Sequence, residues 1–167
     1  MTLSSGAIWV RAKHVNQDSK TPTDSYVETI QQVLPGDTNP LGTVFGGKVM
    51  QWIDTVAAIS AMRHCRQTVV TASIDRIDFH APAKVGHVMI LQANVFFAGR
   101  TSMEVKVTVM AENPLSGRRE LTTEARLTFV AIDSDGQPTA VPGIKPVSED
   151  DKRLYAEAQA RRSQRKK

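Results

Sequence analysis

The 167-residue sequence has little with which to build a covalently or metal-held structure. It contains one cysteine, Cys65, which rules out an intrachain disulfide and suits a reducing cytosol. Cys65 follows an apolar helical stretch and reads as a small residue at the core edge rather than a nucleophile. Four histidines are scattered and lack ligand spacing with the cysteine, so no metal is expected. Long hydrophobic runs are missing. The apolar piece at Ile8-Trp9-Val10 is too short for a signal peptide and ends in charge, so no leader and no membrane insertion are expected. There is no internal repeat and no composition break that marks a second large domain. The net charge is +4, but seven of the 21 Lys and Arg residues fall between Lys152 and Lys167. That asymmetry reads as a solvated basic terminus and argues against a nucleic-acid-binding face on the folded body. What remains is a single cytoplasmic domain, long enough to bury a real core.

The positive signal centres on Gly46 to His64. No proline interrupts it, and alanine and methionine favour helix. About 19 residues span roughly 28 Å, the width of a small domain. Its apolar residues run most of the way round, from Val49 and Met50 through Ile53 and Val56 to Met62, so the helix is expected inside the protein. Asp54 breaks that surface. A bare carboxylate among apolar neighbours costs several kcal/mol unless satisfied. At the helix start, Gly46-Gly47 leaves N–H groups and a partial positive charge open. Gly47 and Asp54 are seven residues apart, hence on nearly one face, roughly 10 Å apart along the axis.

The remainder reads as strands. Residues 1–24 are polar and aperiodic, and are expected to form a disordered arm. Tyr26 to Val33 suits a first strand, and Leu34 to Phe45 is a loop dense in turn residues that feeds the helix. Thr68 to Phe79 alternates with Val70, Ala72 and Ile74 on one face. The parity then switches to Ile77 and Phe79, which suggests a bulge near Asp75-Arg76. Val88 to Phe97 follows, with Met89, Leu91, Ala93, Val95 and Phe97 on one face. Met103 to Ala111 alternates strictly, and Glu120 to Ile132 puts Leu121, Ala125, Leu127, Phe129 and Ala131 on one side. Glu149 to Arg162 suits a short exposed helix. One apolar helix and a one-faced antiparallel sheet need each other, which gives an α+β fold with the curved sheet wrapped round the helix.

Several stretches together carry a resemblance. Pro35-Gly36-Asp37-Thr38-Asn39-Pro40-Leu41-Gly42 followed by Phe45-Gly46-Gly47-Lys48-Val49-Met50-Gln51-Trp52-Ile53-Asp54 resembles the signature of hotdog-fold acyl-CoA thioesterases. Val70 to Asp75, Asp78-Phe79-His80-Ala81-Pro82 and Gly99 to Val105 agree in order and spacing. The subgroup resembled is the acyl-CoA hydrolases related to brain and cytosolic long-chain enzymes and to small bacterial relatives. The resemblance implies a hotdog domain over residues 25–143; the arm over 1–24 and the C-terminal helix and basic tail expected over 144–167 lie outside it. It implies hydrolysis of acyl-CoA to a carboxylic acid and CoA, with no cofactor beyond the CoA of the substrate. It also implies dimers with edge-paired sheets, often further assembled as trimers of dimers.

By the same resemblance Asp54 and Asn39 are the catalytic pair, contributed to one site by different protomers. The Gly47 N–H is then a candidate oxyanion donor, though Gly46-Gly47 equally suits close packing of helix on sheet. Asp54 is either general base for a water or a nucleophile, and the plainer alternative is a structural carboxylate. Asn39 before Pro40 is also an ordinary turn residue. The resemblance places Arg100, Thr101 and Ser102 at the nucleotide end of CoA, where Arg100 would meet phosphate; otherwise they are a hairpin tip. Met50, Ile53 and Met62 are expected among the residues lining the acyl tunnel. A hotdog dehydratase would need a histidine with a partnering acid in the site, but His64 lies past the helix face that carries Asp54 and His80 is in a turn, so both read as surface or core-edge residues. The alternative function is a non-catalytic acyl-CoA-binding, lipid-sensing module, which would call for a further signalling domain.

Overall fold

The computed structural model describes residues 19–165. The elements are β1 (Val27–Gln32), α1 (Gly46–Cys65), β2 (Thr68–Phe79), β3 (Val88–Ala98), β4 (Ser102–Glu112), β5 (Arg119–Ile132) and α2 (Glu149–Arg165). The strands form one antiparallel sheet in the order β1-β3-β4-β5-β2. α1 lies in its concave face and α2 on the other.

α1 presents a stripe of Val49, Ile53, Val56, Ala57, Ala61 and Cys65 to the sheet, all buried. The inner faces of β3, β4 and β5 answer with Met89, Leu91, Val95, Val105, Val107, Leu127 and Phe129. A fully buried aliphatic side chain contributes about 1.5–3 kcal/mol over its exposed state, so this stripe fixes the helix. Burial is one-sided, which corrects the expectation of a helix enclosed all round: Met50 and Met62 remain 40% and 41% exposed on the side away from the sheet. At its C-terminus Arg66 adopts left-handed φ 58°. Lys20 Nζ closes the helix end by donating to the His64 carbonyl at 2.5 Å.

Of the arm expected over residues 1–24, residues 1–18 lie outside the described residues. Its end is built into the fold. Pro22–Ser25 forms a short 3-10 turn, and buried Ser25 links three segments. Its hydroxyl donates to the Pro22 carbonyl at 3.0 Å and accepts the Val95 N–H at 2.9 Å, while its carbonyl accepts Ser60 Oγ at 2.8 Å.

Four bulges move residues from the faces that strict alternation gives them. In β2 the register slips at Ala72 as well as at the expected Asp75. Val69, Thr71, Ile74, Ile77 and Phe79 therefore share the inner face, and Val70 turns outward. In β3 a slip at Phe96 pairs Phe97 with Glu104, taking Phe97 out of the inner core and onto the outer face. In β5 a slip at Thr122 pairs Leu121 with Met110, which also faces outward. The outer aromatic pair explains α2. Phe96 and Phe97 pack with Leu154 and Ala158, and Tyr155 stacks on Phe97 at 5.1 Å. The C-terminal helix is thus docked rather than merely exposed, and two of its arginines, Arg161 and Arg162, pair with Glu104. No described helix is long and apolar enough to cross a membrane.

Candidate active site

The loop from Leu34 to Phe45 is stiffened by its own polar side chains. The Asp37 carboxylate accepts the Leu34 N–H at 3.0 Å and lies 3.3 Å from Lys48 Nζ; these two contacts hold its pKa below the usual carboxylate range. Its carbonyl accepts the Phe45 N–H at 2.8 Å and so sets the approach to the helix. Asn39 Oδ1 accepts the backbone N–H groups of Leu41 and Thr43, while its amide donates to Thr43 Oγ1 at 3.0 Å. Gly42 supplies the positive φ of 73° that this turn requires. The Val44 N–H bonds the Ala83 carbonyl at 2.8 Å, tying the loop to the turn between β2 and β3. Asn39 is therefore held by its own loop, and no hydrogen bond joins it to Asp54 among the described residues.

The loop delivers the start of α1. Phe45 occupies the N-cap without capping through its side chain, and the N–H groups of Gly46 and Gly47 have no acceptor among the described residues. Gly47 is exposed, and a Cβ there would meet only the ring of Phe45, with Cε1 at 2.5 Å. Close packing on the sheet is thus not what position 47 needs glycine for. Beside Gly46 opens a cleft of about 280 Å³, walled by Val44, Val49, Phe79, Pro82, Met89 and Thr123 among others.

Two turns further on, half-buried Asp54 accepts a hydrogen bond from Thr71 Oγ1 at 2.8 Å through Oδ1. Thr71 can reach because the bulge at Ala72 leaves it on the inner face of β2. Sequence reasoning missed Thr71: taking Val70, Ala72 and Ile74 as one face put it on the opposite side. The signal available was Val69, whose apolar side chain shares parity with Thr71. The Thr71 bond fixes the Asp54 carboxylate and leaves Oδ2 without a bonded partner among the described residues.

The other sequence candidates fall in different places. Ile53 is fully buried against the sheet, whereas Met50 and Met62 stand on the open side, so the three do not line one cavity of this chain. Ile53 and Met62, nine residues apart, face opposite sides of the helix. Arg100 is exposed with no side-chain partner among the described residues; Ser102 Oγ already accepts a bond from Arg162. His64 is buried, with Nε2 on the Pro142 carbonyl at 2.8 Å. His80 lies 3.4 Å from Glu124, both partly exposed, at the far end of β2 from Thr71. Cys65 is fully buried; burial pushes its thiol pKa up, which makes it a poor nucleophile. Among the described residues no group of three His, Cys, Asp or Glu side chains could hold a metal ion.

Residues 41–117 match the model of the thioesterase superfamily. A Bacillus subtilis protein named uncharacterized acyl-CoA thioester hydrolase is 44% identical over 86% of this chain and 83% of its own length. A cytosolic acyl coenzyme A thioester hydrolase of Rattus norvegicus is 35% identical over 91% of this chain, which spans only 40% of that longer protein. Among solved structures, an apo-hexameric acyl-CoA thioesterase superposes with a TM-score of 0.85 at 50% identity, covering 89% of this chain and 96% of the other. An acyl-CoA hydrolase of Staphylococcus aureus, solved with butyryl coenzyme A, coenzyme A and coenzyme A disulfide, gives a TM-score of 0.81 at 40% identity over 89% and 90% of the two chains. Further structures of that hydrolase carry alanine in place of an asparagine, an aspartate or a threonine. The separations between those three positions equal the separations between Asn39, Asp54 and Thr71 here.

Proposed function

Since this chain belongs to the acyl-CoA thioester hydrolases of the thioesterase superfamily, we propose that it hydrolyses acyl-CoA at a site built from Asp54, Thr71, Asn39 and the start of α1. The observation that carries the assignment is the Asp54–Thr71 hydrogen bond at 2.8 Å, which orients the carboxylate on the side of α1 away from its buried stripe. Water attacks the thioester carbonyl carbon, Asp54 takes its proton, the C–S bond breaks, and CoA leaves as thiolate and is then protonated. A nucleophilic Asp54, giving an anhydride that water then opens, uses the same geometry. The Gly47 N–H, free of any acceptor among the described residues, receives the charge that grows on the carbonyl oxygen.

Helical rise sets a constraint on which chain supplies which group. Gly47 and Asp54 of one α1 are roughly 10 Å apart, while a carbonyl and its attacking atom lie about 3–3.5 Å apart. One helix would have to bridge that gap with the Asp54 side chain, a water and the carbonyl in line. A two-fold partner solves this: Asn39 and Gly47 from one protomer meet Asp54 and Thr71 from the other, giving two equivalent sites. The chain has the surface for it. β2 is an edge strand, and Val70, Ile74, Phe79, Phe45, Met50 and Met62 are all exposed along it and along the open side of α1. The hexameric thioesterase that it resembles supports further assembly as a trimer of dimers. CoA would lie along the dimer groove, with its nucleotide end at Arg100.

The test is release of free thiol from palmitoyl-CoA and from acetyl-CoA. Thiol release above the uncatalysed rate from either is expected, and the ratio reports the chain length accommodated. Binding of acyl-CoA without thiol release from either substrate would make the protein a binding module instead.

A further inference from the structure

The Gly99–Ser102 turn between β3 and β4 is roofed by the end of α2. Arg162 Nη2 donates to Ser102 Oγ at 2.5 Å, its Nε lies 3.5 Å from Glu104 Oε1, and its guanidinium stands over the Phe97 ring at 4.8 Å. Arg161 donates to the other oxygen of Glu104 at 2.8 Å. The Glu104 side chain is only 8% exposed, so the two arginines neutralise a carboxylate that burial would otherwise penalise. Gly99 makes room for this arrangement: a Cβ there would sit 2.0 Å from Arg162 Nη1. Arg100, the next residue, points its charge at solvent.

From this geometry we infer that Arg162 is a positioning residue for the nucleotide end of the substrate: α2 braces the turn so that Arg100 presents a free guanidinium to phosphate. The inference rests on the assignment of this turn to CoA made above. Arg162 uses its donors on Ser102 and Glu104, and a planar fork held at both ends fixes backbone as well as side chain. Because Ser102 Oγ accepts from Arg162, its own hydrogen is left for an outward acceptor. Three arginines against one carboxylate leave the cluster net positive, as a phosphate site requires. The docking of α2 does not depend on the brace, since Leu154, Tyr155 and Ala158 hold it to Phe96 and Phe97.

Two variants carry the test, each assayed with an acyl-CoA and with the matching acyl-pantetheine, which lacks the nucleotide. Arg162→Gln should raise KM for acyl-CoA roughly three- to tenfold, the loss expected for weakened charge-assisted contacts. It should leave kcat, and both constants for acyl-pantetheine, near wild type. Gly99→Ala, which evicts the guanidinium while keeping the arginine, should reproduce that pattern. An unchanged KM for acyl-CoA in Arg162→Gln, or equal losses on the two substrates, overturns the inference; equal losses would mark a merely structural role. Arg100→Ala is run alongside. If it also fails to separate the substrates, the assignment of the turn to CoA fails and the inference with it. If Arg100→Ala separates them and Arg162→Gln does not, only the role of Arg162 is lost.

Discussion

α1 and α2 are similar in length, 20 and 17 residues, and pack on opposite faces of one sheet, yet they are held by different means. α1 buries a continuous aliphatic stripe, each full side chain contributing about 1.5–3 kcal/mol. α2 buries Leu154 and Ala158 and meets the sheet elsewhere through charge: Arg161 and Arg162 with Glu104, Arg126 with Glu157, Lys106 with Asp150. Exposed ion pairs are worth about 0–1 kcal/mol each, so those of α2 add to the seat that Leu154, Tyr155 and Ala158 make on Phe96 and Phe97. A helix fixed by apolar packing can leave a carboxylate without a cation partner among the described residues, as α1 does with Asp54. That contrast is why we place the proposed chemistry on α1.

The sharpest way to break that division is to remove one charge from each helix. Asp54→Asn keeps the shape and should lower kcat by 10²-fold or more. Arg153→Ala on α2, which breaks pairs to Asp150 and Glu157, should leave kcat unaltered. Turnover of Asp54→Asn within about threefold of wild type would sink the catalytic assignment, since loss of a general base alone costs about 10²-fold. Mixing extends the test to the subunits. Asn39→Ala and Asp54→Ala proteins, refolded together, pair at random, and about a quarter of all sites then carry neither lesion. Recovery towards that level is expected. No recovery, in a mixture shown by mass to contain hybrids, would place both residues in one protomer or remove one from catalysis.

A second, smaller contrast concerns packing. Ile53→Ala empties a site enclosed between α1 and the sheet and should cost about 2–5 kcal/mol, toward the upper end. Leu154→Ala opens a four-residue cluster at the surface, which can collapse, and should fall at the lower end of the same range. At roughly 2–4 °C per kcal/mol for a chain of this size, the difference is readable in Tm. Equal losses would mean that α2 is as much a core element as α1.

The extent of α1 was legible, though not which of its sides is buried. The proline-free stretch from Gly46 to His64 and the strict alternation of Met103 to Ala111 place α1 and β4 within a residue of their observed bounds. The motif around Asn39, Gly47 and Asp54 was likewise readable as a candidate site. What escaped was whatever depends on a bulge. One extra residue inverts every later side chain, so Phe97 was given to the inner core, Leu121 likewise, and Thr71 to the wrong side of β2. Each error hid a partner: the outward turn of Phe97 makes the seat for α2, and the inward turn of Thr71 makes the contact with Asp54. Arg161 and Arg162 read as solvated because their acidic partner, Glu104, is distant in sequence. Strand order was also beyond local pattern, since β1 pairs with β3 and β2 with β5 across long connections.

The smallest expected effect lies where the packing of α1 meets a titratable group. His64 sits near the C-terminal end of the helix, fully buried, with Nε2 on the Pro142 carbonyl and Nδ1 without a partner among the described residues. A carbonyl only accepts, so Nε2 carries the proton and Nδ1 is a bare acceptor in the neutral ring. Burial pushes the imidazole pKa down, and the nearby Lys20 ammonium adds to it; the Pro142 bond and the Asp24 carboxylate oppose. The folded state thus resists a proton that the unfolded chain takes up near the ordinary value of 6.5. As pH falls through that value the unfolded state binds more protons, so stability is fully present above it and is lost below. α2 has no buried histidine and adds no such slope. The expected result is that the Tm of the wild type falls more between pH 7 and pH 5.5 than that of His64→Gln, which keeps a donor for the Pro142 carbonyl but does not titrate. Parallel slopes in the two proteins would show that His64 takes up its proton in the folded state as readily as in the unfolded one.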